Sequence, residues 1–247
     1  MKPVCLSCGA KQRRSAAFCR QCGVRVAATN PVAPPPTSIR SSTRVLWVAV
    51  GAYFALLGPN LIAIASGGMS ATDLRLLQLA LLLAATAAFL LTSQWNAIPL
   101  AQSLSWPRNV TLKLVSRLAL GTVAGLSAAW LLGLIFPTAD AGQLAEYRNA
   151  GESIGWALLD YSVIAPILEE LVFRGIVLGA LRGVLSGSAA LWTSSLMFAS
   201  IHLTPLTIVH HTLLGLVAGH ARLETRSLLL PIAIHAVYNA VVVGLSW

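Results

Sequence analysis

Glu169-Glu170-Leu171-Val172-Phe173-Arg174 sets three charged side chains in the middle of an otherwise apolar segment running from about Ile154 to Leu181. A bilayer crossing takes about 20 apolar residues, so this segment is long enough to be a membrane helix. A carboxylate or guanidinium at the centre of such a helix costs roughly 2.5–3.5 kcal/mol on insertion scales. Ionisable groups kept at that depth are functional candidates, and each needs a partner.

The rest of the chain agrees with a membrane setting. Of its 247 residues 56% are hydrophobic and only 10% are charged, against about 25% charged in an ordinary soluble domain. Apolar segments at about 45–65, 74–94, 112–136, 154–181, 188–203, 205–223 and 227–246 read as helices. The sequence therefore predicts an all-α polytopic membrane protein with about seven transmembrane helices. The net charge of +9 is unevenly placed, with eight of the 17 basic residues between Lys2 and Arg44. Arg108, Lys113, Arg117, Arg182, Arg222 and Arg226 flank alternate ends of the spans. The opposite connections hold Asp73, Asp140, Glu146 and Glu152 against only Arg75 and Arg148. By the positive-inside rule this predicts a plasma-membrane protein with a cytoplasmic N-terminus and an extracytoplasmic C-terminus. The same asymmetry explains the basic charge without nucleic acid, and no nucleic-acid partner is expected. Met1-Lys2-Pro3 leads into a polar segment, without the apolar core of a cleavable signal peptide.

All four cysteines lie near the N-terminus, as Cys5-x-x-Cys8 and Cys19-x-x-Cys22. Each pair is followed by a glycine, Gly9 or Gly23, which permits a tight knuckle. This is the spacing of a tetrahedral zinc–thiolate site. Two disulfides in an exported head would be the alternative, but a cytoplasmic N-terminus keeps the thiols reduced. The reading is a small zinc-ribbon head at 1–26 with a structural Zn2+. So short a segment cannot bury an apolar core, and metal ligation would supply its folding free energy. A Pro-rich linker follows at 27–43, and the transmembrane domain occupies 44–247.

Within the C-terminal half, three polar pairs recur at helical spacing. Glu170 and Arg174 are four apart with the acid first, the favoured orientation for an ion pair on one helix face. Glu169 is rotated about 100° from Glu170 and faces elsewhere. Phe198 and His202 form the second pair, and His235 and Asn239 the third. Counted from the cytoplasmic helix ends at about 1.5 Å per residue, Glu169 and His202 lie roughly 20 Å deep and His235 roughly 13 Å. Pro166 cannot donate a backbone hydrogen bond and disturbs the helix near Ser162. Glu169 and His202 could activate a water, and His235 and Asn239 could donate to a developing oxyanion. His210, His211 and His220 fall outside this pattern and read as interfacial or structural. Asp160 reads as hydrated or paired near the outer leaflet.

The order Glu169-Glu170-x-x-x-Arg174, Phe198-x-x-x-His202, His235-x-x-x-Asn239 resembles the CAAX-protease and bacteriocin-processing family over about 154–245. The resemblance implies a glutamate-type intramembrane endopeptidase acting on a membrane-associated peptide or protein. Glu169, His202, His235 and Asn239 would be catalytic, with Glu170, Arg174 and Phe198 in support. It also admits a metalloprotease reading of the same side chains, and the spacing decides for neither, so no cofactor is assigned at the catalytic centre. A non-catalytic bacteriocin-immunity or scaffold protein of the same fold is the alternative. A proton or ion transporter would use the buried acids as a relay, but no inverted repeat is evident. Substrate identity and oligomeric state are not written in the sequence.

Overall fold

The computed structural model describes residues 39–66, 69–93, 100–107, 110–136, 141–204 and 207–247. The expected zinc ribbon, with Cys5, Cys8, Cys19 and Cys22, and most of the linker lie outside the described residues.

Every regular element among the described residues is helical. In chain order they are α1 (Ile39–Ser66), α2 (Ala71–Ser93), the single turn α3 (Leu100–Ser103), α4 (Leu112–Ile135) and α5 (Ala141–Asn149). A long helix, α6, then runs over 154–181 and is interrupted twice, at Asp160–Ile164 and Leu171–Val177. The helices α7 (Gly187–Ser200), α8 (Ile208–Thr225) and α9 (Leu229–Ser246) complete the bundle.

Local chemistry sets several of these starts. Ser70 Oγ accepts from the Asp73 amide at 3.1 Å and meets the Asp73 carboxylate at 2.7 Å, which caps α2. Thr111 and Ser186 do the same for α4 and α7 through the amides of Leu114 and Ala189. Such caps satisfy amides that have no partner inside the helix.

The core forms around α6. Helices α2, α7, α8 and α9 all pack on it, and α4 packs on α8 and α9. Phe173, Ile176, Phe198 and Leu228 are wholly buried there. Outward faces carry large apolar side chains instead, with Leu112 at 83%, Leu83 at 74% and Leu120 at 73% exposure. In water that surface would be unfavourable; in lipid it is the expected exterior.

Among the described residues, four helices are long and apolar enough to cross a membrane: Thr43–Ala63 in α1, Ala71–Ser93, Leu112–Ile135 and Leu229–Ser246. These match the first three and the last of the seven expected spans. The other three have a different character. Helix α6 is broken by its two irregular turns. Helix α7 has 14 residues, about 21 Å of rise against a hydrocarbon core of about 30 Å. Helix α8 carries three histidines, Arg222 and Glu224.

Helix α7 also stops sooner than 203. Thr204 precedes Pro205, and a residue before proline is pushed out of the helical region. Leu203 takes a left-handed φ of 55°, and the chain reverses into α8. His202 therefore sits in the turn that follows α7, not within a span, held by its amide on the Ala199 carbonyl at 3.3 Å.

Candidate active site

The site starts from the irregularities in α6. A π-turn inserts one residue per turn, a rare feature that concentrates at functional positions. The first, Asp160–Ile164, ends where the Ala165 amide reaches the Asp160 carbonyl five residues back. Pro166 then offers no amide to the carbonyls behind it. The Tyr161 carbonyl accepts from Asn239 Nδ2 on α9 at 2.8 Å instead. The second π-turn, Leu171–Val177, carries the Leu178 amide to the Phe173 carbonyl. Glu169 and Glu170 lie between the two turns.

Glu170 is wholly buried, and one of its two carboxylate oxygens carries its polar contacts. Its Oε1 is 3.0 Å from Arg174 Nη1 and 2.9 Å from His235 Nδ1. Arg174 continues the network by donating from Nη2 to the Gly215 carbonyl at 3.0 Å. The guanidinium also lies 4.6 Å above the Phe198 ring. Close helix packing makes this reach feasible: a Cβ on Gly215 would stand 2.9 Å from Ser195 Cβ and 3.0 Å from its Cα.

Glu169 points to another place, as its rotation around the helix requires. Its Oε2 stands 3.8 Å from His235 Nε2, with 17% of the side chain exposed. Together with His202, His211, Tyr238 and Asn239 it lines a cavity of about 350 Å³.

Phe198 is the hub of the ring cluster. Its ring meets Phe173, His202 and His235 edge-on, each at 5.4 Å. His202 Nδ1 donates to the Phe198 carbonyl at 3.2 Å, and a carbonyl can only accept. That fixes the tautomer and leaves Nε2 with its lone pair. His235 Nδ1 likewise donates to a carboxylate. Its Nε2 becomes a donor only when the ring carries a second proton.

The structure gathers Glu169, His202, His235 and Asn239 with Glu170, Arg174 and Phe198. It also adds residues that the sequence pattern left aside. The His211 ring stacks on His202 at 3.5 Å, with Nδ1 donating to the Thr207 carbonyl at 2.9 Å. His210 Nδ1 donates to Tyr238 Oη at 3.0 Å, and Tyr238 donates to the Gly125 carbonyl at 3.1 Å. The one sequence signal for these histidines is Pro205, which separates α7 from α8 in the chain; the two helices pack on each other. Among the described residues, no three His, Cys, Asp or Glu side chains are grouped to hold a metal ion.

A second network gathers at the first π-turn of α6. Asp160, wholly buried, accepts from Arg75 Nε at 3.0 Å and from the Tyr147 hydroxyl at 2.7 Å. Arg75 also lies 3.8 Å from Glu152 and 4.4 Å above the Trp156 ring. Asp160 is thus paired. Burial first, and then its bond to Asp160, push the Tyr147 pKa up, so the phenol stays a donor.

Residues 151–241 match the family model described as type II CAAX prenyl endopeptidase Rce1-like. That interval contains every residue of the Glu169–His202–His235–Asn239 set and its supports. An uncharacterised 24.3 kDa protein of Escherichia coli is 35% identical over 88 residues, 32% of this chain and 38% of its own length. The putative membrane peptidase YdiL of Bacillus subtilis is 32% identical over 82 residues, covering 33% of this chain and 34% of that one. The membrane-embedded CAAX protease MroQ of Staphylococcus aureus is 35% identical over 88 residues, covering 33% and 36%. The chain thus spans about a third of the length of each of these relatives. No solved structure gives a significant match.

Proposed function

We propose that this membrane protein is an intramembrane endopeptidase of the CAAX-protease type, hydrolysing a peptide bond in a membrane-associated peptide or protein. The observation that carries the reading is the meeting of the Glu169 carboxylate and the His202 ring on the wall of one cavity of about 350 Å³. Similarity to the two relatives named as a peptidase or protease supports it.

The roles follow from the hydrogen bonds. A water held between Glu169 and the free Nε2 of His202 would lose a proton to one of these bases as its oxygen attacks the carbonyl carbon. The same proton would then pass to the departing amine. His235 Nδ1 already serves the Glu170 carboxylate, so donating to the oxyanion would take the ring form with both nitrogens protonated. That form presents an Nε2–H to the developing oxyanion. Asn239 spends one amide hydrogen on the Tyr161 carbonyl and keeps a second for the same oxyanion. The Glu170–Arg174 pair positions His235 and does not contact substrate.

For the N-terminal segment we propose a cytoplasmic ribbon holding structural zinc on Cys5, Cys8, Cys19 and Cys22. Purified protein should carry one zinc, lost when all four cysteines are replaced by serine.

The proteolytic reading is tested by comparing protein termini in membranes containing the wild type or Glu169→Gln. Termini present with the wild type and absent with the variant are expected. Identical termini would overturn the reading in favour of a binding or scaffold role.

A further inference from the structure

The cavity is only partly made by the segment that resembles proteases. Leu56, Pro59 and Asn60 of α1 and Leu74, Leu77, Gln78 and Leu81 of α2 line it too. All seven lie outside residues 151–241.

On α2 the spacing is that of one helix face, at i, i+3, i+4 and i+7. Three of these four side chains are leucines. Gln78 interrupts them, and its Oε1 is buried without a hydrogen-bond partner among the described residues. A structural glutamine in a membrane helix ties itself to a neighbouring helix, because an unpaired polar group in an apolar setting is costly. Gln78 does not. The amide is carried on a wall otherwise shaped for hydrocarbon.

Across the same cavity, Glu169 Oε2 is also a buried acceptor with no hydrogen-bond partner among the described residues. The Glu169 carboxylate is accounted for by the chemistry proposed above. Gln78 has no part in that chemistry, yet it lines the same cavity.

We propose that Gln78 is a substrate-binding residue that holds the backbone of an extended peptide whose apolar side chains lie against Leu74, Leu77 and Leu81. This rests on the proteolytic reading and names its substrate class. A primary amide carries an acceptor and donors, the complement of a peptide group's N–H and C=O. Leucine walls bind apolar side chains without fixing their register. One amide on such a wall supplies the register that places a particular peptide bond at Glu169.

The test uses the full chain in lipid nanodiscs and a pool of synthetic apolar peptides without lipid attachments. Retention of peptides by Glu169→Gln is compared with retention by Glu169→Gln carrying Gln78→Leu or Gln78→Asn. Retention should fall roughly tenfold with either replacement, the worth of one buried hydrogen bond. For a peptide that the wild type cuts, Gln78→Leu should lower kcat/KM by about the same factor and spread cleavage over neighbouring peptide bonds. Replacing successive peptide N–H groups by ester oxygens should weaken binding to the wild type at one position, and that penalty should vanish in Gln78→Leu. Equal retention with and without the amide, or an ester penalty unaffected by Gln78→Leu, would overturn the proposal. In a parallel pool carrying an isoprenoid chain, retention confined to those peptides and independent of Gln78 would overturn it too. If the wild type cuts nothing yet retention still depends on Gln78, the proteolytic reading fails and the Gln78 contact stands.

Discussion

Glu169 and Glu170 are adjacent in sequence and opposite in use. Glu170 sits between a guanidinium at 3.0 Å and an imidazole at 2.9 Å, so removing it leaves Arg174 buried without its counter-charge. Glu169 has one distant partner at 3.8 Å and borders the cavity. Glu170→Ala should cost about 3–5 kcal/mol, the usual penalty for breaking a buried pair from one side. Glu169→Gln should leave stability within about 1 kcal/mol, since losing a poorly paired buried charge relieves desolvation. Thermal denaturation in detergent reads both. Equal losses for the two variants would show that the brace and the reactive carboxylate have been wrongly separated. This division was legible in the sequence, because a spacing of four places Glu170 against Arg174 and a step of one turns Glu169 away. His211 was not legible. Its stacking on His202 depends on where α7 ends and how the chain turns, and neither follows from helical periodicity.

At the scale of elements, the informative case is Pro166 on α6 and Asn239 on α9. The proline marks a break that the sequence reading placed near Ser162. The π register that precedes it shifts the hydrogen bonds by one residue, and the carbonyl that takes an outside donor is that of Tyr161. A one-residue register change leaves no trace in an apolar stretch, so Asn239 reads from sequence only as a site amide. If it fills the gap left by proline, the two positions must be coupled. Asn239→Ala alone should destabilise by about 0.5–1.5 kcal/mol, the net worth of one hydrogen bond. In a Pro166→Ala background, which restores a backbone donor, most of that loss should disappear. A double-mutant cycle measures the coupling. Additive effects would mean that Asn239 holds Tyr161 for some other reason. Gln78 belongs at this scale too. Its position on the cavity face of α2 follows helical spacing, but which face of α2 meets the site becomes visible only once α6 is packed against it.

For the whole molecule, the contacts between connections bear on how the chain is threaded through the bilayer. The Leu228 amide bonds the Ser103 carbonyl at 2.8 Å, and Ser227 Oγ bonds the Ser105 carbonyl at 2.6 Å. Arg222 reaches Ser103 Oγ at 3.0 Å and also donates to the Arg226 carbonyl. The start of α9 therefore lies at the same level as the connection between α2 and α4. At the other end of α9, Arg148 donates to the Ser246 and Trp247 carbonyls at 3.0 and 2.9 Å. Because α4 lies between the Ser105 connection and Arg148, those two levels are on opposite sides if α4 crosses. If α1 and α2 both cross as well, Thr43 shares the Ser105 side, and Trp247 lies opposite. That parity holds whether α7 and α8 traverse the bilayer fully or turn back within it, since the pair returns to the level from which it started. It requires α6, in spite of its charges and two π-turns, to cross as well. Single cysteines at Ser105 and Ser246, in a chain with the native cysteines replaced, should be labelled from opposite faces by an impermeant maleimide in intact cells. Only Ser246 should react from outside. Labelling of both positions from one face would mean that α6 does not cross, and Glu169 would then sit on a surface-bound segment instead of inside the bilayer.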